Sequence, residues 1–282
     1  MKRFGSLLIC GAFAGVIGCS KEATFTEPLP DYAAIHWVNA VPDTGQQDMR
    51  VVDVPSNAGL FDANFRGSKM FYEPILAGSR TIEIFNSSTD PVISSQVLAQ
   101  ATQDFVANSG YTFIHAGFAR TGSTPAHAVL VIQDAPPTPD TLSIAFRAIN
   151  VGAGLGPVDV WAVRRPVNAL TVDSLPDARG AANVAFGTAS AYVTIAKDVA
   201  GADSVRIVFT TAGTKTVLAS VLAPPGVVGT PSLDPIAGSR IGGTVLTAVL
   251  VPRSVAGSPA PAGFTTPSAL YLVDRRPPGT AR

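Results

Sequence analysis

Cysteine is nearly absent from this sequence: there are two, Cys10 and Cys19, and both lie close to the N-terminus. Nothing beyond Cys19 can enter a disulfide, so stability must come from apolar burial. Charge is scarce too, at 14% of residues, and twenty basic side chains balance twenty acidic ones. With 46% hydrophobic residues, that composition excludes a charged disordered chain. Lysine and arginine form no cluster or stripe, so the electrostatic footprint of nucleic-acid binding is missing. No window sustains a capped helical period. Beyond the N-terminal apolar run, no segment approaches the length of a membrane span.

What the chain does contain begins at that run. Lys2 and Arg3 precede Leu7, Leu8, Ile9, Ala12, Phe13, Ala14, Val16 and Ile17, and the run closes on Gly18-Cys19-Ser20. A basic segment, an apolar segment shorter than the roughly 20 residues of a span and a small residue before the cut form a secretory signal. The cysteine after the small residue resembles the lipobox of bacterial lipoproteins. That resemblance implies a signal peptide at 1–18, cleavage after Gly18, and acyl chains on Cys19 as the membrane attachment. Ser20 in place of an aspartate then implies the outer membrane. Cys10 leaves with the signal, and residues 19–33, with Pro28 and Pro30, form a tether.

After the tether, short runs rich in β-formers alternate with turn signals; there are 26 glycines and 23 prolines. Ile82 and Ile84 alternate with Thr81 and Glu83, a period of two. Between Ser95 and Ala107 a strand is preferred to a short helix. Pro136, Pro137 and Pro139 make a stiff connector at the best domain boundary.

The second half repeats the first. Ala34–Val52 aligns without gaps on Ala145–Val163, which puts Asn39 on Asn150 and Asp48 on Asp159. Phe65-Arg66-Gly67 with Tyr72 matches Phe186-Gly187 with Tyr192, with Arg66 read as an insertion. Ala128–Ile132 aligns on Ala269–Val273. The expected organisation is all-β, with two tandem immunoglobulin-like β-sandwich domains at 34–137 and 138–282. The second carries long Pro/Gly loops at 224–243 and 251–267.

The duplicated Val38-Asn39-Ala40…Asp48-Met49 and Ile149-Asn150-Val151…Asp159-Val160 steps, with Phe186-Gly187 and Tyr192, resemble the bacterial domain-of-unknown-function 4397 family. The resemblance implies exported proteins, often lipoproteins, with a β-sandwich fold, and it brings no catalytic residue. The paired asparagines and aspartates make sense as turn-formers. Phe65, Tyr72, Phe186 and Tyr192 read as core or rim aromatics, and Trp37 and Trp161 as core.

Chemistry-bearing motifs are few. His36, His115 and His127 align opposite Arg147, Thr247 and Ser268, so the duplicated scaffold does not need imidazole, and none has close metal-ligand spacing. No Gly-x-Ser-x-Gly elbow occurs. Asp43, Asp48 and Asp53 recur every five residues without an EF-hand loop, leaving a loop-end calcium site as a minor reading. The glycines of Gly152-Ala153-Gly154-Leu155-Gly156 precede a strand, so they form a turn and no phosphate cradle. No catalytic residue, metal ligand or cofactor is therefore assigned. The leading reading is a non-enzymatic, lipid-anchored envelope protein with a structural or interaction role, whose partners are the membrane and an envelope protein or polysaccharide. The alternative is a carbohydrate- or protein-binding module using the loops 224–243 and 251–267, and the third is an exported hydrolase.

Overall fold

A computed structural model describes residues 30–54, 59–166, 175, 179–198 and 203–277. Cys19, Gly18 and the signal and tether expectations lie outside these residues, apart from the tether's last positions. Asp31–Arg282 forms one compact unit. Its first half holds β1 (Tyr32–Ala40), β2 (Gln47–Val51), β3 (Gly59–Ala63), β4 (Glu73–Leu76), β5 (Gly78–Asn86), the single turn α1 (Pro91–Ser94), β6 (Val97–Phe105), β7 (Gly110–Ala116) and β8 (Ala128–Asp134). The second half holds β9 (Ser143–Asn150), β10 (Val158–Pro166), β11 (Ala181–Val184), β12 (Thr188–Ala189), β13 (Val193–Ala196), β14 (Asp203–Thr211), β15 (Val217–Leu222), β16 (Val245–Val251) and β17 (Ser268–Arg275). Residues 97–105 are strand, as expected.

The chain is all-β and makes two sandwiches. In the first, sheet β4-β1-β7-β8 faces sheet β3-β2-β5-β6; in the second, β12-β9-β16-β17, with β13 also on β9, faces β11-β10-β14-β15. Each sandwich contains one parallel pair, β1 with β7 and β9 with β16. Parallel pairs are characteristically buried on both faces, and here both are: every residue of β16 is buried. Inward positions fill the sandwich cores, with Ile35, Trp37, Tyr111 and Phe113 in the first and Ile144, Phe146, Leu246 and Leu250 in the second.

The alternate positions of those same strands point at the other sandwich. Val38, Ala40, Ile114 and Ala116 pack on Ile149, Val151, Val249, Val251 and Leu272 in a shared apolar cluster. The two sandwiches are thus joined face to face as well as by the Pro-rich connector. The backbone N–H of Val273 donates to the Met70 carbonyl (2.8 Å), so the first sandwich also covers the β17 edge. Early positions of β1 and β9, His36 and Arg147, pair with the other sandwich's aspartates, and later positions, Val38, Ala40, Ile149 and Val151, share the apolar cluster. The four central strands therefore run the same way, and the unit has two ends. The near end carries the start of β1, the 135–142 connector and the base of the 224–243 loop. The far end carries the turns after β1, β7, β9 and β16.

Strand register refines the duplication in three places. Arg66 is no insertion: its N–H donates to Asn39 as that of Gly187 donates to Asn150, both at 2.8 Å. Both residues have positive φ, +71° and +78°. Second, Ile132 pairs with Thr112 and Leu272 with Thr247, so Ile132 matches Leu272, and the sequence alignment is shifted by one. Third, His115 pairs with Asn39 while Leu250 pairs with Asn150, so the counterpart of His115 is Leu250, not Thr247. Pro267 then takes the place of Ser268 opposite His127. The alignment erred because alternating apolar runs match almost equally well in neighbouring registers.

Candidate functional site

The paired polar residues hold the scaffold. Asn39 Oδ1 accepts from the N–H of Val41 and Asn150 Oδ1 from that of Gly152, the turn role expected of them. Asp48 and Asp159 bond across to the next strand: each Oδ1 accepts an N–H at 2.9 Å, from Asp62 and Asn183, which both hold positive φ. Burial would raise the Asp159 carboxyl. The N–H groups of Asn183 and Gly213 and the Arg179 guanidinium outweigh it and hold the group below the usual carboxylate range. Asp43 accepts from the N–H groups of Ala119 and Arg120, and Asp53 from that of Thr81. The regularly spaced aspartates are therefore dispersed to separate anchoring tasks and do not converge on a calcium site. Among the described residues no group of three or more His, Cys, Asp or Glu is placed to hold a metal ion.

Between the sandwiches, near-end positions of the two copies build one buried polar cluster. Asp134 accepts from Tyr72 (2.7 Å), Thr112 (2.9 Å) and the Arg147 guanidinium. Asp274 accepts from Tyr192 (2.7 Å) and Thr247 (2.5 Å), with His36 Nε2 3.5 Å away. The copies are related residue by residue: His36 with Arg147, Tyr72 with Tyr192, Thr112 with Thr247, Asp134 with Asp274. His36 and Arg147 each reach the other copy's aspartate and lie against their own copy's tyrosine, His36 stacked on Tyr72 at 3.8 Å and Arg147 over Tyr192 at 4.9 Å. Burial and then the aspartates push both tyrosine hydroxyls far above their ordinary range. Burial opposes the charge on Arg147, and Asp134 and Asp274 overcome it and raise its pKa. His36, Arg147, Asp134 and Asp274 are buried and the two tyrosines half-buried, so the cluster ties one sandwich to the other.

Histidines occupy two separate places. His36 belongs to that cluster. His115 points into the first sandwich, with Nδ1 2.8 Å from Gln47 Oε1 and Nε2 3.0 Å from Nδ1 of His127. Burial, with His127 adding to it, pushes His115 down to about 3. Neutral His115 therefore donates from Nδ1 to Gln47 and accepts at Nε2 from His127.

A cleft of about 870 Å³ lies at the far end, where the two sandwiches meet. Its walls are Phe118 from the β7–β8 turn, Ala153, Gly154 and Leu155 from the β9–β10 turn, and much of the 251–267 loop. Pro267 keeps that loop from continuing β17 toward its N-terminal side, and the first sandwich pins it. The N–H of Val255 donates to the Pro42 carbonyl (3.0 Å). Arg66 donates to the carbonyls of Pro252 (2.7 Å) and Thr266 (2.5 Å), with its guanidinium over Phe65 and Phe264. Phe118, Leu155 and Val255 give the cleft apolar surface, and Ser254, Ser258, Thr265 and Thr266 give it hydroxyls. Its one ionisable lining residue is Arg253, which has no hydrogen-bond or ion-pair partner among the described residues. A wall of this chemistry can bury and hydrogen-bond a ligand and attract an anionic group, but it contains no nucleophile–base pair.

The sequence had marked the 251–267 loop but not Phe118 or Leu155, which only the sandwich packing brings alongside it. It had also joined 224–243 to the same candidate site, and that is corrected: the 224–243 loop lies at the opposite end. Trp37 and Trp161 are both buried and give no exposed aromatic face.

No family model and no curated protein matches this chain. Solved structures show only a distant likeness. A candidate adhesin from Bacteroides ovatus is 12% identical with a TM-score of 0.24, over 81% of this chain and 90% of that one. A streptococcal virulence factor described as binding α-glucan is 11% identical with a TM-score of 0.20, over 68% and 88%. A candidate cell-adhesion protein, also from Bacteroides ovatus, is 12% identical with a TM-score of 0.20, over 90% and 100%. Among the described residues no helix is long and apolar enough to cross a membrane.

Proposed function

We propose that this is a non-enzymatic interaction protein of the bacterial cell envelope, anchored by acyl chains on Cys19, that holds its partner in the far-end cleft. The duplicated Asn/Asp steps support placing both copies with the domain-of-unknown-function 4397 family. One observation carries the functional reading: the second copy's extended β16–β17 loop, pinned by Arg66, builds a cleft with hydroxyls, apolar surface and an unpaired guanidinium. Such a lining suits a hydroxyl-rich ligand bearing an acidic group, as an envelope polysaccharide does. The absence of an acid–base pair from the lining favours binding over an exported hydrolase.

The test is titration of the full-length acylated protein in detergent with uronic-acid-containing oligosaccharides and with neutral ones of equal length. Saturable binding of the acidic series, weakened about tenfold or more by Arg253→Ala, is expected, since a charge-assisted bond contributes roughly 1.5–3 kcal/mol. Equal binding by wild type and Arg253→Ala, or no binding to either series, would refute the assignment of the ligand. Cleavage of the oligosaccharide would refute the non-enzymatic reading.

A further inference from the structure

Between β15 and β16 the second copy carries residues 223–244, where the first copy needs only residues 106–109 between β6 and β7. The sequence leads one to expect a plain extended loop there, but the segment folds into a small two-stranded projection. Val227 and Ile236 exchange backbone hydrogen bonds at 3.0 and 2.9 Å, as do Thr230 and Leu233 at 2.8 and 3.2 Å. Its base is locked, with the N–H groups of Ser239 and Arg240 donating to the carbonyls of Pro224 and Pro225 (2.8 and 3.1 Å). Gly226 and Gly238 pass so closely that a Cβ on Gly238 would lie 2.1 Å from the Gly226 nitrogen. A two-stranded hairpin is marginal by itself in water, so this close packing at the base is what holds it out from the body.

The projection displays apolar side chains to solvent. Val228 is 76% exposed, Leu233 67%, Val227 56% and Ile236 54%. Across residues 226–236 the one ionisable side chain is Asp234. An apolar tip of this kind gains nothing from water and does not suit adsorption by charge, but it fits the boundary between lipid headgroups and acyl chains. Its position selects that partner. The tip leaves the near end, from which β1 also begins at Tyr32, while the cleft opens at the far end. From Cys19 to Asp31 the chain can span at most ~40 Å even when fully extended. Acyl chains on Cys19 would therefore tether the protein from its near end, the end that carries the projection.

We propose that the 224–243 projection is a membrane-contacting element. Its Val227, Val228, Leu233 and Ile236 enter the headgroup–acyl boundary of the leaflet that holds Cys19, and so orient the cleft outward. This rests on the lipid-anchor reading. It adds a second point of attachment to the one at Cys19. Val92 supplies an internal comparison, because it is also 68% exposed and apolar but sits on α1 at the far end.

Cleavage before an acylated Cys19 leaves the mature protein without another thiol, so Val228→Cys and Val92→Cys each introduce a single labelling site. Each full-length acylated variant is labelled with an environment-sensitive fluorophore and reconstituted into phosphatidylethanolamine–phosphatidylglycerol vesicles. Flotation is measured first, then quenching by spin-labelled lipid. The expected result is that both variants float, and the Val228 label shifts to the blue and is quenched severalfold more than the Val92 label. Protein that does not float defeats the anchor, and this contact with it. Protein that floats while its Val228 label stays as wet and unquenched as the Val92 label overturns the membrane contact alone. A Val228 label shielded without lipid quenching, in a protein that chromatographs as a dimer, assigns the tip to a second copy and overturns it as well.

Discussion

At the residue scale, Arg66 shows how one substitution turned a duplicated turn into a clamp. Its counterpart Gly187 takes positive φ without steric penalty, whereas a side chain there costs about 1–2 kcal/mol. The guanidinium offsets that cost with two bonds to loop carbonyls and two aromatic contacts. Arg66→Gly should therefore free the 251–267 loop although it relieves the backbone. Hydrogen exchange should rise for amides at 253–266 and stay unchanged in β1 and β7. Arg66→Ala, which keeps the strain and loses the clamp, should unfold at lower denaturant than Arg66→Gly, by about 1 kcal/mol. His115 makes a second prediction. Its folded pKa of about 3 lies below the roughly 6.5 of an unfolded histidine, so across that interval the unfolded chain holds a proton that the folded one does not. Stability from this group is complete above pH ~6.5 and declines as the pH falls toward 3. In urea titrations at pH 7.5 and 5.0, His115→Gln should lose less stability between the two than wild type loses. An equal loss would assign the slope to other groups.

Elements were the most legible level. Period-two alternation, Gly/Pro punctuation and β-branched runs mark strands by local physics, and the strands fall where those signals do. Asn39 and Asn150 were readable as turn-formers because an asparagine bonds its own backbone two residues on. Asp48 and Asp159 were half readable: their residue type suggested a bond to backbone at a turn, but their partners Asp62 and Asn183 lie on the following strand, which no local rule identifies. The projection at 224–243 was hidden for the same reason, since its Pro and Gly content announces only that no helix forms there. Its rigidity depends on the Gly226–Gly238 contact. Gly238→Ala should push the two strands of the base apart and open residues 226–237 to limited proteolysis, with little change in overall melting. Gly263→Ala, where an added Cβ meets nothing within 4 Å and φ is not in the left-handed region, should leave the digestion pattern as in wild type.

For the whole molecule, the consequence is cooperativity. The sandwiches share an apolar cluster and a largely buried polar one, so neither can unfold without exposing the other's face. Trp37 lies in the first sandwich core and Trp161 is buried on the outer sheet of the second, so single-tryptophan variants report each sandwich separately. Their urea transitions should coincide, and separated midpoints would show that the sandwiches unfold independently. Arg147→Leu strips Asp134 of its cation in a site with side-chain exposures of 3% and 0%. Breaking one partner of a buried pair typically costs about 3–5 kcal/mol, so both tryptophan transitions should move to lower urea together. The sequence alone determined the all-β class, the duplication and the scarcity of disulfide and charge, because composition and short-range periodicity act through each residue's own backbone and its nearest neighbours. Tertiary structure decided that the outer faces of the parallel strand pairs meet, that His36 and Arg147 exchange aspartates between copies, and that one long loop builds the cleft while the other projects from the opposite end. Those outcomes depend on residues as far apart as Arg66 and Thr266, brought together by burial of surfaces whose complementarity no local pattern records.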